Sequence, residues 1–165
     1  MPSEIIELLQ SSGCSCVIRN GQTLRLCHQR GVKDLHELVH NEPELLRGAS
    51  LADKVVGKGA AALMIVGGVR YIYAAVISRQ AYALIQQYGI ECEFGLLVEH
   101  IINRAGTDIC PVEKLCTQCA TAEECLPLID EFVKGLIETC SPEYAEIYKR
   151  FYSRYLDFEK IKSID

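Results

Sequence analysis

The stretch Leu51-Ala52-Asp53-Lys54-Val55-Val56-Gly57-Lys58-Gly59-Ala60-Ala61-Ala62-Leu63-Met64 decides how the chain is read. It sets two lysines and an aspartate in an apolar run rich in glycine and alanine. Small side chains let a helix pack closely in a core, and a charge buried there needs a partner or a ligand. The expectation is a buried helix whose polar positions line a cleft. Ser50 would be its N-cap, Asp53 would complete a capping-box-like pattern, and Gly67-Gly68 would stop it.

Upstream, residues 3–10 form a short helix candidate with Ile5, Ile6, Leu8 and Leu9 on one side. Residues 16–19 and 23–27 then flank Asn20-Gly21, a dipeptide suited to a tight hairpin turn. Leu35, Leu38 and Val39 have helical spacing within residues 32–40, and Glu42-Pro43-Glu44 opens another turn that Gly48 can end. Downstream, residues 69–77 are β-branched and aromatic, as in a central strand. Ser78 caps a helix that Gly89 ends, and residues 90–98 are a further strand in which Gly95 marks a bend or bulge. Residues 99–104 read as a helix or as more of that strand. Helices follow around 111–115 and 126–138, and Ser141-Pro142-Glu143 opens a last one. Its Tyr144, Ile147, Tyr148, Phe151, Tyr155 and Leu156 form a stripe that suits docking on the same domain or on a second subunit. This order fits an α/β sandwich around a mixed sheet.

A chain of 165 residues holds one full core. The net charge of -5, with no Lys/Arg run, argues against a nucleic-acid partner. The N-terminal residues do not resemble a signal peptide, and the longest apolar run, residues 60–66, is far short of a membrane span. A cytoplasmic location without membrane partners is expected. In that setting nine cysteines are reduced thiols, metal ligands or core residues rather than a disulfide framework. Cys14, Cys16, Cys27 and Cys92 stand in strand-like contexts that suit core packing.

Three constellations carry candidate chemistry. Gly57-Lys58-Gly59 resembles the end of a phosphate-binding loop. A full motif, however, needs Gly at position 52 and Ser or Thr at 59, where this chain has Ala52 and Gly59, and the run reads as helix throughout. What remains is Lys58 as an anion holder in a cleft, against Lys54 and Lys58 extending to solvent. Asn103-Arg104-Ala105-Gly106-Thr107-Asp108-Ile109-Cys110-Pro111-Val112-Glu113 places Cys110 at a helix start, where backbone amides favour a thiolate and Glu113 can close the cap. The alternative there is a structural cap with an inert thiol. Finally, Cys110, Cys116, Cys119 and Cys125 have the spacing C-x5-C-x2-C-x5-C. That pattern offers a zinc or iron–sulfur site, a redox pair or inert thiols, and a four-cysteine site needs a break between helices at residues 117–121. His36 and His40, one helical turn apart, are a further metal-ligand pair.

The pieces Asp53-Lys54-x-x-Gly57-Lys58-x-Ala60-Ala61, Ile77-Ser78 and Asn103-Arg104-x-Gly106-x-x-x-Cys110-Pro111-x-Glu113 together resemble a prokaryotic domain-of-unknown-function family whose fold is similar to cytidine deaminase. The resemblance covers residues 17–113, with the later cysteines and last helix as extensions. It implies a three-layer α/β/α sandwich with a mixed sheet, as residues 1–140, and a C-terminal helical extension, residues 141–165. It does not imply deamination. A zinc deaminase needs His (or Cys)-x-Glu at one helix start and Pro-Cys-x-x-Cys at the next. Those starts fall near residues 53–61 and 78–81, which hold no His, Cys or Glu.

The leading expectation is a small-molecule binder, with an anionic or nucleotide-like ligand. Asp53, Lys54, Lys58, Ser78, Asn103, Arg104, Cys110 and Glu113 would then converge on one cleft at the sheet edge, with Cys110 and Glu113 as the catalytic candidates. The rival is a zinc, iron–sulfur or redox module using Cys110, Cys116, Cys119 and Cys125. The third is a structural or partner-binding protein that uses the Tyr/Phe face of the last helix, with a homo-oligomer among the partners expected. No reaction is named by the sequence.

Overall fold

The computed structural model describes residues 2–29, 31–103 and 105–139. Its strands are β1 (Cys16–Asn20), β2 (Thr23–Cys27), β3 (Ser50–Val56), β4 (Tyr71–Ser78) and β5 (Glu91–Val98), in one sheet of order β2-β1-β3-β4-β5. β1 is antiparallel to β2 and β3, whereas β3, β4 and β5 run parallel. The helices are α1 (Pro2–Ser11), α2 (Lys33–Asn41), α3 (Pro43–Leu46), α4 (Lys58–Gly67), α5 (Arg79–Gln87), α6 (Pro111–Cys116) and α7 (Ala122–Thr139).

The parallel strands need crossovers, and α4 and α5 supply them. In the β1–β2 hairpin Asn20 pairs with Thr23, so the two loop residues are Gly21 and Gln22. Gly21 has φ +59°, which a two-residue turn of this kind asks of its first position. The turn therefore sits one residue later than the sequence suggested.

Helices lie on both faces of the sheet. On one face α1 buries Ile5 and Leu9 against Cys14, Val17, Ala52 and Tyr71. The other face carries the larger core, which includes Leu51, Val56, Ile72, Ala74 and Ile77 of the sheet with Leu63 and Met64 of α4. Residues 58–64 of α4 are all buried. Its glycines are dictated by that crowding. A Cβ at Gly59 would lie 2.2 Å from Val112 Cγ1, and one at Gly67 would lie 2.7 Å from Leu46 Cδ1.

The opening stretch requires a correction. Residues 50–56 are not helical but form the central strand β3, paired with β1 on one side and β4 on the other. Gly57, at φ −94° and ψ 179°, is the true N-cap, and the helix starts at Lys58. Small apolar residues fit a buried helix or a buried central strand equally well, and β-branched Val55-Val56 was the stronger local signal. The segment is consequently strand, glycine and helix start. The helix-throughout argument against a phosphate loop falls, while the misfit at positions 52 and 59 remains.

The parallel strands share a kink. Leu51 and Val56 both face the larger core although their positions have opposite parity, as do Ala74 and Ile77. At that level the pairing passes over Lys54, Ala75 and Gly95, and a Cβ on Gly95 would stand 2.9 Å from the Ala75 carbonyl oxygen. This gives Gly95 the bend expected of it. Among the described residues no helix is long and apolar enough to cross a membrane. Arg104 and the aromatic stripe of residues 144–156 lie outside the described residues.

Candidate functional site

Two helix starts meet on one carboxyl group. The first amides of any helix lack intrahelical partners, and at α4 the cap residue is a glycine with no side chain to offer. Glu113, one turn into α6, fills the gap. Its Oε1 accepts the Lys58 amide at 3.1 Å and the Ser78 hydroxyl, and its Oε2 accepts the Ile101 amide at 2.5 Å. Ser78 caps α5 in turn, its Oγ accepting the Ala81 amide at 3.2 Å. That commits the hydroxyl proton to Glu113. The carboxyl is buried at 1% exposure, so its three donors are the solvation it has. Gly57 permits the approach, since even a Cβ there would stand 3.2 Å from Ile101 Cγ1.

Glu113 was expected to close the cap of its own helix. It reaches across to α4 and α5 instead, and Cys110 caps α6 without a side-chain bond. The Cys110 amide donates to Ile101 O at 2.7 Å, which ties α6 to the loop after β5.

Lys58 faces the other end of α6. Its Nζ donates to Cys119 O at 2.7 Å and Thr117 O at 3.2 Å, carbonyls left open where α6 stops. The side chain is buried as the sequence implied, but its partners are protein carbonyls. With the Lys58 amide held by Glu113, donors that an anion would use here are already engaged.

The cysteines lie beside Lys58. The break between α6 and α7 brings Cys116, Cys119 and Cys125 near enough to perturb one another electrostatically, and the Cys125 thiol donates to the Thr121 carbonyl at 3.5 Å. Cys116 and Cys125 are fully buried, whereas Cys119 is half-buried. The neighbouring Cys125 thiol draws the Cys116 thiol below its ordinary pKa against the opposing effect of burial, and Lys58 helps. Cys125 is pushed up, chiefly by the neighbouring Cys116 and then by burial. Burial, then the neighbouring Cys125, raises Cys119. Cys110 is also near enough to bear on Cys116 electrostatically.

The remaining predicted residues lie apart. Lys54 is exposed on β3. Asp53 pairs across to Cys16, and burial pushes its carboxyl up to about 7 although the amides of Val55 and Lys54 oppose the rise. Asn103 folds back on its own loop, its Oδ1 accepting the Thr107 amide at 3.0 Å. Among the described residues neither Asp53, Lys54 nor Asn103 hydrogen-bonds to the Glu113 network. The described residues of 99–103 and 105–110 are neither helix nor strand, apart from an isolated bridge between Ile102 and Ile109.

A second carboxyl, Asp130 on α7, was not singled out from the sequence. Its Oδ1 lies 2.5 Å from His36 Nε2 and 2.8 Å from His40 Nε2, both on α2. Burial alone would raise the Asp130 carboxyl, but the hydrogen bonds and charges of the two imidazoles prevail and hold it well below the usual carboxylate range. Burial lowers His36, with the Asp130 bond opposing.

The profile of a domain of unknown function, DUF1893, matches residues 4–133. The chain belongs to that family. A solved crystal structure of a DUF1893 family protein from Thermotoga maritima is similar to this chain, with 25% identity and a TM-score of 0.70 over 78% of this chain and 87% of that one. No curated protein matches. The DUF1893 span holds every residue of the Glu113 network, the three thiols and the Asp130 cluster. The cysteines after residue 113 are thus part of the family's domain, not an extension of it.

Proposed function

We propose that the chain is a thiol redox module in which Cys119, Cys125 and Cys116 act in that order. The observation that supports it is the gathering of three free thiols at the α6–α7 break, one half-buried and two fully buried beside Lys58, with Cys116 drawn below its ordinary pKa. A small-molecule disulfide meets Cys119 first. The Cys119 thiolate attacks one of its sulfurs, the S–S bond breaks, and one small thiolate leaves and takes up a proton. Cys125 then attacks the Cys119 sulfur of the mixed disulfide, expelling the second small thiol. Cys116 finally attacks Cys125 and returns Cys119 to a thiol. Two protein thiols are oxidised to a Cys116–Cys125 disulfide, and one external disulfide is reduced to two thiols. Access sets the order, with half-buried Cys119 as the entry and the fully buried Cys125 and Cys116 as the resolving pair. Lys58 is a positioning residue here: it holds the 117–119 turn that carries Cys119.

We further propose that the fold is related to that of cytidine deaminase, since the helix starts at Gly57 and Ser78 lie together beside two parallel strands. Deamination needs zinc ligands at those starts. This chain offers the carboxyl of Glu113 from a third helix instead, and no His or Cys there.

The test is oxidation of the native protein with oxidised glutathione, followed by alkylation and peptide mass mapping. A Cys116–Cys125 disulfide is expected; in Cys116→Ser the product becomes Cys119–Cys125, and Cys119→Ser slows the reaction at least about tenfold, the loss of an accessible entry thiol. If the three thiols are alkylated or oxidised only after denaturation, the module does not exist.

A further inference from the structure

His36, His40 and Asp130 are not among the three thiols, and the redox reading does not use them. From this cluster we infer a binding site for a divalent transition cation of the zinc class, with one imidazole nitrogen from each histidine and one oxygen from Asp130 as ligands. The inference is independent of the thiol chemistry.

Helix periodicity sets the first two ligands. Residues four apart share a face, so His36 and His40 present their rings together, with centroids 4.5 Å apart in an edge-to-face arrangement. The third ligand comes from α7. There Ile129 and Val133 are buried in the larger core, which fixes the helix and hence the intervening Asp130. The three candidate ligand atoms all lie within 4.8 Å of one another, the only such group among the described residues. Both Nε2 atoms converge on the same carboxylate oxygen. A neutral ring with its proton on Nδ1 presents its Nε2 lone pair. Zinc bonds of about 2.0–2.1 Å set neighbouring tetrahedral ligands roughly 3.3 Å apart. A slight withdrawal of Asp130 therefore opens the space for an ion.

The donor set suits borderline cations. Two imidazoles and a carboxylate are the ligands of a zinc site with an open fourth position, filled by water. Calcium and magnesium prefer all-oxygen shells. Access is built in, since His36 is fully buried at the floor while the His40 and Asp130 side chains keep 14% and 27% exposure at the mouth. Bound there, the cation would join α2 to α7.

The experiment uses the full chain freed of metal by a chelator and titrated with Co²⁺, whose visible spectrum reports its ligands, with Zn²⁺ competition to follow. One equivalent of Co²⁺ is expected with nitrogen–oxygen bands and no sulfur charge-transfer band. His40→Gln and Asp130→Asn, both at the partly exposed mouth, should weaken binding by more than the roughly 10–100-fold that outer-shell changes cost. Cys119→Ser should leave it unchanged. Metal-free unfolding curves of each variant check that the fold persists. No saturable binding, binding unaltered by His40→Gln, or a sulfur band lost in Cys119→Ser would each overturn the site.

Discussion

Two carboxyl groups each join helices distant in sequence, yet their settings are opposite. Glu113 is enclosed, and its donors are two backbone amides and a hydroxyl that is itself a cap. None of these can bind a metal or exchange a partner without unmaking a helix start. Asp130 stands at a partly open mouth, and what faces it is a pair of imidazoles that can change tautomer or take a cation. The first arrangement completes the fold. The second is a place where something can be exchanged. Burial of a charged or polar cluster is thus a weak guide to function, and the chemical adaptability of its partners is a better one.

The contrast can be broken most severely at Glu113. Replacing it with Ala strands the Lys58 and Ile101 amides and the Ser78 hydroxyl in a buried site. At about 1–3 kcal/mol for each unsatisfied group, the loss should be at least about 3 kcal/mol by urea unfolding. A loss below about 1 kcal/mol would mean water reaches these donors and the enclosure is not real. Lys58→Met comes next. It leaves the Thr117 and Cys119 carbonyls without their donor while keeping the apolar stem, and should cost about 2 kcal/mol. It should also raise the Cys116 thiol, read as slower alkylation at fixed pH.

The smallest effect belongs to Asp130→Asn in metal-free protein, about 1 kcal/mol at pH 7, and its value lies in the pH profile. The native Asp130 pKa lies below the unfolded one, so its stabilisation is complete above about 3.9 and fades as pH falls through that value. His36 is also lowered, so the unfolded chain binds its proton first, and stability declines as pH drops below about 6.5. Wild-type melting temperatures should fall in both ranges. Asp130→Asn should lose the lower step; if that step persists, the carboxylate is not paired as described.

The sequence made much of this legible wherever a local signal had one physical meaning. Ser78 before a helical pattern meant a cap, and it is one. Gly95 within a strand meant a bend, and three strands kink there. The failures share a cause too. Residues 50–57 are mostly small and apolar, and within the segment only β-branched Val55-Val56 favours a buried strand over a buried helix. The choice is made by β1 and β4, whose pairing is a tertiary fact. Glu113 was visible as a capping residue, but the helices it caps start 55 and 35 residues away from it. Asp130 meets His36 across 94 residues, so the histidine pair could be noticed but not its third member. The charged stretch at 53–58 misled most: alternation along β3 and the kink beyond it send Lys54 outward, whereas Lys58 belongs to another element.

Lys58 also grips α6 twice, by its amide near the start of that helix and by its ammonium past the end. A six-residue helix has too few internal bonds to persist by itself. The turn bearing Cys119 therefore inherits its persistence from the interior of the sheet domain. Its amides should be freed for hydrogen exchange only when α4 comes loose, so the region that looks most like a loop should be among the last to open.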